Sequence, residues 1–425
     1  MLPGYHIYSF LSRAALGAIT LYSNLFRKGK NAKFDRFVSL QRNWKDMTAS
    51  LPPKKEGECR LWFHASSLGE YQIARPVIAE LKKKGGVSVI LTFFSSTGIE
   101  ALKDKKVEAD AILPLPFDTP KNAAKFFDAI RPDVGVFMVS EYWPCHLRTL
   151  AERNVPVVLM SALLNQPSSK HSVSYNFKKN MLRSFDMVVS HDGASQKNLK
   201  DIGVKNPLLI ADPLFDNALE RAGERFSDPV IERFCGNSGK VLVAGSLHLD
   251  EDLDMIATLA RRFPETKIIV VPHEIDEPSI KRIMEALPEA TALYSKVTEK
   301  DDVDARQCLV IDSVGKLAMI YRYGRAAYVG GGFSRLLHSV VEPLAYGVPV
   351  AFGPRIHRKW LPAEMMRLGI GTMVRNESDM ERWWRDILNE TIDPEDVRKK
   401  AKELCMENKG GALKLANLIE EVIKR

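Results

Sequence analysis

The sequence predicts two α/β domains, each with a parallel sheet covered by helices on both faces. Three observations support this fold class. A chain of 425 residues is too long for one hydrophobic core and suits two domains. Short apolar runs, typical of strands buried on both faces, alternate with amphipathic segments typical of helices. The alternation pauses near Pro207 and then restarts, so we expect a domain boundary between residues 207 and 208.

The first 34 residues differ from the rest of the chain. Tyr5 to Phe26 is an apolar run of about bilayer-spanning length, with Arg13 as its single formal charge. Basic residues follow this run instead of preceding it, which is not the order in a cleaved signal peptide. We therefore expect residues 1–34 to be a retained membrane anchor that either spans the bilayer or lies in its interface. The alternative is a soluble first helix packed on the core. The basic residues that would keep an anchored chain on the cytoplasmic side are Arg27, Lys28, Lys30 and Lys33.

Composition and motifs exclude several classes of protein. The five cysteines are scattered without a C-x-x-C pair, so neither a disulfide framework nor a zinc site is predicted and a reducing compartment is favoured. The net charge of +8 favours an anionic partner, without distinguishing nucleic acid, a membrane surface and a phosphorylated substrate. No G-x-G-x-x-G opens a helix after a strand and no P-loop is present, which argues against an ordinary oxidoreductase or P-loop hydrolase.

The first domain, predicted at residues 35–207, begins its α/β pattern with "WFHASSLGE", Trp62 to Glu70. This stretch is typical of a strand, a turn and a helix start. Ser67 and Glu70 have the spacing of a capping box, in which each side chain accepts a backbone N–H of the other residue. Glu70 is alternatively a proton acceptor, although a helix N-terminus stabilises its ionised form and so weakens it as a base. Further strands are predicted at "VSVILTFF", "AILPLPF", "VGVFMVS", "VPVVLMSAL" and "FDMVVSH".

The second domain, predicted at residues 208–425, has strands at "KVLVAGS", "KIIVVPH", "CLVID", "AAYVGGG" and "VPVAFGP" and a closing C-terminal helix. Glycine or polar residues follow strand after strand, where a nucleotide phosphate is held in this fold class. Glu342 suits a ribose, or is a first-turn acid that stabilises its helix. His273 is a ligand contact or a structural loop histidine. The other candidates are Ser246, His248, Asp312, Val314, Gly315, Gly331, Gly332, His338 and Ser339.

The chain contains a series of ordered motifs: "WFHASSLGE", "TFFSSTGIE", "SEYWP", "LFDN", "AGSLHLDED", "VPHE", "DSVGKL" and "HSVVEPLAYGVPVAFGP". These motifs resemble those of the 3-deoxy-D-manno-octulosonic acid (Kdo) transferases of lipopolysaccharide synthesis, glycosyltransferase family 30. The resemblance extends from the N-terminal run to about Gly371, and the first and last motifs are the most specific.

The resemblance implies a GT-B enzyme, with two Rossmann-like domains facing a cleft. It implies inverting transfer of Kdo from CMP-Kdo to the lipid A precursor at the cytoplasmic face of the inner membrane, without a nucleic-acid partner or dinucleotide cofactor. By matching positions, Glu70 is the catalytic base and Glu141 an acidic residue that supports the transition state. The implied CMP contacts are Pro272, His273, Val314, Gly315, Lys316, Ser339, Val340, Val341 and Glu342, with Ser246, His248, Gly331, Gly332 and His338 as further candidates.

Three departures from the family motifs concern the proposed sites. Leu214 replaces a basic residue, Lys316 replaces a glutamate and Ser339 replaces an asparagine. No D-x-D lies in a strand-end loop, so metal-independent transfer is expected. A phosphorylated acceptor would be bound by basic residues of the first domain, or these residues are simply a solvated charged face. The candidates are Lys103, Lys105, Lys106, Lys170, Lys178, Lys179 and Arg183.

Overall fold

A computed structural model describes residues 4–25, 32–103, 105, 107–164, 173–249, 251–333, 337–356 and 359–424. The chain divides into two compact units. The first comprises Met1–Asn217 and Gly410–Arg425, and the second comprises Ala218–Lys409. This division differs from the predicted one in two ways. The boundary between the units lies ten residues after the predicted boundary at position 207, and the C-terminal segment belongs to the first unit instead of the second. Five of the predicted basic residues lie outside the described residues: Arg27, Lys28, Lys30, Lys106 and Lys170.

The first unit contains a parallel sheet with the strand order β3-β2-β1-β4-β5-β6-β7. Its strands are almost entirely buried, as their uninterrupted apolar sequences predict. The order places the ends of β1, β2 and β4 side by side, since β1 pairs with both of the others. The strands are β1 Cys59–His64, β2 Val87–Phe93, β3 Ala111–Pro114, β4 Val134–Met138, β5 Val157–Met160, β6 Met187–Ser190 and β7 Leu208–Leu209.

Several helices of the first unit begin where the sequence supplies a capping side chain. Ser67 caps α3 and Thr119 caps α5, whose first residue is a proline suited to that position. The helices are α1 Tyr5–Leu25, α2 Ala32–Ala49, α3 Leu68–Lys84, α4 Ser96–Leu102, α5 Pro120–Ile130, α6 Pro144–Glu152, α7 Val173–Leu182, α8 Gly193–Asp201 and α9 Pro213–Gly223, which crosses into the second unit.

Helix α1 is the predicted anchor. One of its faces packs on the first unit: Tyr5 is buried against Ala123 and Cys145, and Tyr8 stacks on Phe177 with ring centroids 5.8 Å apart. Among the described residues no helix, α1 included, is both long enough and apolar enough to cross a bilayer. The opposite face of α1 exposes large apolar side chains, namely Ile7, Phe10, Leu11, Leu21 and Tyr22.

The second unit contains another parallel sheet, with the order β10-β11-β9-β8-β12-β13-β14. β8 lies between β9 and β12, so the loops after these three strands leave one edge of the sheet together. The strands are β8 Val241–Leu247, β9 Lys267–Pro272, β10 Thr291–Leu293, β11 Cys308–Val310, β12 Ala326–Val329, β13 Val350–Phe352 and β14 Gly371–Met373. The sequence analysis missed β10 and β14, which are three-residue edge strands. The predicted fold class of two parallel-sheet α/β domains is confirmed.

The helices of the second unit surround this sheet, and the C-terminal helix returns to the first unit. They are α10 Pro229–Cys235, α11 Glu251–Arg262, α12 Glu277–Ala286, α13 Leu317–Ile320, α14 Val341–Ala345, α15 Trp360–Leu368, α16 Glu377–Leu388, α17 Pro394–Glu407 and, in the first unit, α18 Gly411–Ile423.

The motif "LFDN" has a structural role in the first unit. The carboxylate of Asp216 accepts the backbone N–H groups of Gly410 at 2.7 Å and Ala412 at 2.9 Å, at the start of α18. Phe215 is buried, and the Asn217 amide accepts from Arg75 Nε at 2.9 Å. These contacts explain the residue types of the motif without a ligand.

Candidate active site

Glu70 lies at the start of α3, directly after β1. The Ser67 hydroxyl accepts the Glu70 backbone N–H at 3.3 Å and caps the helix. The Glu70 carboxylate accepts the backbone N–H of Ser66 at 2.7 Å, whereas in a full capping box it would accept that of Ser67. The cap therefore uses the serine side chain, and the carboxylate is bound one residue further back.

The environment of Glu70 favours its protonated form. Burial, followed by the negative charge of Glu141, raises the pKa of Glu70 to about 8, although the Ser66 N–H acts in the opposite direction. Burial and the second carboxylate thus act against the stabilisation of the ionised form that was expected from the helix N-terminus. At neutral pH a carboxyl group with this pKa is mostly protonated, and its ionised fraction, which grows as the pH rises, is a stronger base than an ordinary carboxylate.

Glu141 follows β4 and has a different environment. Its Oε2 accepts the indole N–H of Trp143 at 2.7 Å and lies 3.4 Å from Nε2 of His64. Burial alone would raise the pKa of Glu141, but His64, through its hydrogen bond and charge, and the hydrogen bonds from Ser66 and Trp143 lower it. Two neighbouring carboxyl groups are thus separated in proton affinity, a pattern typical of sites that combine a base with a permanent negative charge.

The fully buried His64 is oriented by Thr92. Thr92 Oγ1 accepts the indole N–H of Trp62 at 2.9 Å and donates to the Phe63 carbonyl at 3.2 Å. His64 Nδ1 lies 2.9 Å from the same hydroxyl, and His64 Nε2 lies 3.2 Å from the Ser66 hydroxyl, so both ring nitrogens have a polar partner. Sequence reasoning assigned no role to His64 or Thr92. Their positions at the carboxyl ends of the predicted strands β1 and β2 could have indicated that they lie at the site.

In the second unit, backbone hydrogen bonds hold three strand-end loops together. The His273 N–H donates to the Leu247 carbonyl at 2.9 Å, and the Gly330 N–H donates to the Gly245 carbonyl at 2.9 Å. The His338 N–H donates to the Gly330 carbonyl at 3.1 Å. These bonds bring together His248, His273 and His338, which lie more than twenty residues apart in sequence.

Asp252 completes this frame. Its fully buried carboxylate accepts the Tyr328 hydroxyl at 2.5 Å, the Gly331 N–H at 2.8 Å and the His248 N–H at 3.2 Å. A Cβ at position 330 would lie 2.4 Å from the Ser246 carbonyl oxygen, so the close approach of the loops requires glycine there. Gly331 and Ser246 are therefore part of the frame, whatever contact they make with a donor.

Ser339 and Glu342 form a second cluster in the same unit. The Ser339 hydroxyl donates to Glu342 Oε2 at 2.5 Å and accepts the Val341 N–H at 3.3 Å, at the start of α14. Burial raises the pKa of Glu342, although Ser339, Arg221 and Lys359 oppose this. The side chain of Val341 is buried, as are those of its neighbour Val340 and of Pro272, so these predicted donor residues present only backbone to a ligand.

The predicted donor residues after β11 lie in a turn. Gly315 has a φ of 89°, which favours glycine, and the Val314 side chain is 46% exposed. The Lys316 ammonium donates to Asp228 Oδ2 and to the Tyr294 hydroxyl, both at 2.7 Å. Lys316 is thus held by an ion pair that sequence reasoning did not reveal.

The basic acceptor candidates within the described residues are dispersed. Lys178 lies over the Tyr142 ring, 5.3 Å from its centroid, and burial lowers the pKa of Lys178. Arg183 Nε donates to the Ile202 carbonyl at 2.7 Å, which is a structural contact. Lys103 and Lys105 are exposed, whereas Lys179 is half-buried.

Comparison with known proteins agrees with the motifs. A family model described as 3-deoxy-D-manno-octulosonic-acid transferase (kdotransferase) matches residues 37–214. Curated Kdo transferases of Aquifex aeolicus and Haemophilus influenzae are 26% and 24% identical to the chain. The matches cover 78% and 89% of the chain and 87% and 89% of those relatives. The chain is thus similar to Kdo transferases over most of its length. The residues that match the family model, 37–214, include Glu70 and Glu141.

Solved structures with the same fold are more distant in sequence. A Staphylococcus aureus MnaA–UDP co-structure matches with a TM-score of 0.61 and 9% identity, over 86% of this chain and 97% of that one. A putative UDP-N-acetylglucosamine 2-epimerase of Listeria monocytogenes matches with a TM-score of 0.57 and 12% identity, over 80% and 91%. Both likenesses concern the fold. The relatives named Kdo transferase are glycosyltransferases, and Kdo transfer is the activity that this relation supports.

Proposed function

We propose that this protein transfers Kdo from CMP-Kdo to the lipid A precursor with inversion, and that Glu70 is the general base. The single observation behind this proposal is the raised pKa of Glu70 beside the ionised Glu141, within the residues that match the Kdo transferase family model. Glu70 would take the proton of the acceptor hydroxyl as its oxygen attacks the anomeric carbon of Kdo. The bond from Kdo to the CMP phosphate would break, and CMP would leave as an anion.

Glu141 would act as a fixed negative charge in this reaction. An oxocarbenium-like transition state carries positive charge, which a neighbouring carboxylate stabilises. The hydrogen bonds from Trp143 and Ser66 support the ionised form of Glu141. The two acidic residues would then have separate roles, one accepting a proton and the other remaining charged.

CMP would bind in the second unit, at the loops after β8, β9 and β12 and at the start of α14. Glu342, bonded to Ser339, is the candidate partner of the ribose hydroxyls. Lys359 is a candidate phosphate partner because its ammonium lies 3.3 Å from the His338 carbonyl oxygen, beside these loops. Sequence reasoning missed this residue.

CMP is a good leaving group, and transfer would be metal-independent. Full activity in excess chelator is the expected result, and loss of activity restored by Mg²⁺ would contradict it.

The acceptor would be bound by the first unit at the cytoplasmic face of the inner membrane. The exposed apolar face of α1 suits a helix lying in the bilayer interface, with Phe10 69% and Leu21 60% exposed. Lys178 and Lys179 are the candidate partners of the acceptor phosphates.

Replacing Phe10 and Leu21 together by glutamate should reduce binding to anionic vesicles in a flotation assay, while Kdo transfer to a detergent-dispersed acceptor is retained.

The deciding experiment measures transfer from CMP-Kdo, generated in the assay, to a tetraacylated lipid A precursor by mass spectrometry. Wild type and Glu70→Ala are compared, and CMP binding reports on folding. Product from wild type alone would support the proposal, and the mass increments would count the Kdo residues added. Product from both proteins would leave Glu70 as a helix-start residue. Product from neither, with CMP bound, would favour a binding protein or a different sugar donor.

A further inference from the structure

Three histidine side chains meet at the carboxyl edge of the second-unit sheet. His248, His273 and His338 each offer one ring nitrogen, and these atoms all lie within 4.8 Å of one another. Nε2 of His248 is 2.8 Å from Nε2 of His338. The ring of His273 lies 4.6 Å and 4.5 Å, centroid to centroid, from the rings of His248 and His338. The three possible ligand atoms thus approach a common position.

We propose that this histidine cluster binds one late first-row transition-metal ion of the Zn²⁺ class. Imidazole nitrogen is a preferred ligand of Zn²⁺, Cu²⁺ and Ni²⁺, whereas Mg²⁺ and Ca²⁺ require oxygen ligands. Three protein nitrogens leave the fourth tetrahedral position open, as in zinc sites that also bind a small molecule or water. This proposal does not depend on the proposed transfer reaction.

The geometry needs only a small adjustment to accept the ion. Zn–N bonds of about 2.0 to 2.1 Å in a tetrahedral site place ligand nitrogens about 3.4 Å apart. His248 and His338 would therefore separate by about half an ångström from their present contact. One of these rings now donates Nε2–H to the other, so its proton would move to Nδ1 when the metal binds, without a net loss of protons.

The surrounding frame supports a defined site. His273 and His338 are fixed by backbone hydrogen bonds from their own N–H groups, and His248 by its bond to the buried Asp252. Two of the three rings are accessible, since His273 is exposed and His338 half-buried, so an ion can enter without opening the fold. The cysteine pattern predicted no zinc site, and three histidines on separate loops give no local sequence signal.

The test is titration of the full-length, tag-free protein with Zn²⁺ by calorimetry and with Co²⁺ by visible absorption. We expect one saturable site and the intense bands of tetrahedral Co²⁺. His273→Ala and His338→Ala should each weaken Zn²⁺ binding about a hundredfold or more, because loss of a direct ligand exceeds the 10- to 100-fold effect of losing a supporting group. Glu274→Gln, next to His273, is the matched control and should bind Zn²⁺ like wild type.

Two results would overturn the proposal: no saturable Zn²⁺ binding by wild type, or equal affinity in wild type and both histidine variants. His248 is buried, so the two more accessible histidines are substituted, and thermal melting confirms that each variant is folded. A CMP titration of the same preparations distinguishes the two proposals. CMP binding without Zn²⁺ binding overturns the metal site alone, whereas Zn²⁺ binding without CMP binding supports the metal site and counts against the donor site.

Discussion

The carboxyl edges of the two sheets are built in different ways. In the first unit, side chains determine the arrangement: Ser66, His64 and Trp143 contact Glu141, which in turn influences Glu70. In the second unit, backbone hydrogen bonds between strand-end loops determine where the histidines lie. Side-chain contacts can adjust proton affinity, whereas backbone contacts fix positions largely independently of pH. The first edge therefore suits proton transfer and the second suits ligand binding.

The largest expected effect at the first edge comes from Glu70→Gln. Transfer should fall by about 10² to 10⁴-fold, the usual contribution of a general base. Stability should rise at neutral pH, because the substitution removes a buried carboxylate that burial and Glu141 disfavour in its charged form. Initial rates and thermal melting on the same preparations measure the two effects.

The pH dependence of that stability gain has a definite sign. The pKa of Glu70 is raised to about 8 in the folded state from 4.5, so folding favours the protonated form. Wild type then loses stability as pH rises from 4.5 to about 8, and the advantage of Glu70→Gln grows over that interval and is constant above it. Glu80→Gln, an isosteric change on the same helix, should alter neither rate nor this pH profile. A flat difference between wild type and Glu70→Gln from pH 5 to 8 would show that the Glu70 environment is not as described.

Glu141→Gln tests how the two carboxyl groups are coupled. Removing the negative charge should lower the pKa of Glu70, so the rise of the transfer rate with pH should move to lower pH. The maximal rate should also fall, by about tenfold or more, if a charge that stabilises the transition state is lost. Rate profiles from pH 5 to 9 measure both effects. An unshifted profile with a reduced maximum would mean that Glu141 acts without influencing the proton affinity of Glu70.

A smaller effect is expected at the second edge from Glu342→Gln. Hydrogen bonds to a charged group contribute about 1.5 to 3 kcal/mol, and because the Gln amide still accepts a hydrogen bond the loss should be near the lower value, which weakens CMP binding about tenfold. Burial raises the pKa of Glu342, and the neutral variant should be at least as stable as wild type. Calorimetric titration with CMP measures the change. Glu364→Gln, which affects a half-buried acid on α15 paired with Arg367, is the control. Equal CMP affinity in the Glu342→Gln and Glu364→Gln variants would exclude Glu342 from the donor site.

The sequence predicted the fold better than the contacts of the sites. Continuous apolar runs predicted β1, β2, β8 and β9 because strands buried on both faces need such residues. The three-residue edge strand β14 has too few residues for a pattern. The motif containing Glu70 was evident, but the raised pKa of Glu70 depends on burial and on Glu141, seventy-one residues away in the chain. The network from Thr92 through His64 to Glu141, and the meeting of three histidines, likewise arise from strand order, which sequence spacing does not show.

The smallest expected effect, that of Lys316→Met, tests whether a side chain of the second edge is used by the fold or by the donor. The Lys316 ammonium binds Asp228 and Tyr294. Lys316 is partly exposed whereas Asp228 is buried, but Asp228 keeps its hydrogen bonds from Tyr294 and two backbone N–H groups, so loss of the ammonium should cost about 1 kcal/mol. Burial would raise the pKa of Asp228, but Lys316 and Tyr294 lower it below its usual value. The stability that the pair contributes is therefore present above the pKa that Asp228 has in the unfolded chain. It is lost as the pH falls through the lower pKa that Asp228 has in the folded protein. CMP affinity should change by less than about threefold, because the ammonium is already engaged. A tenfold loss of CMP affinity would instead make Lys316 the donor contact that the family motif implies, and would mean that the ion pair with Asp228 opens when the nucleotide binds.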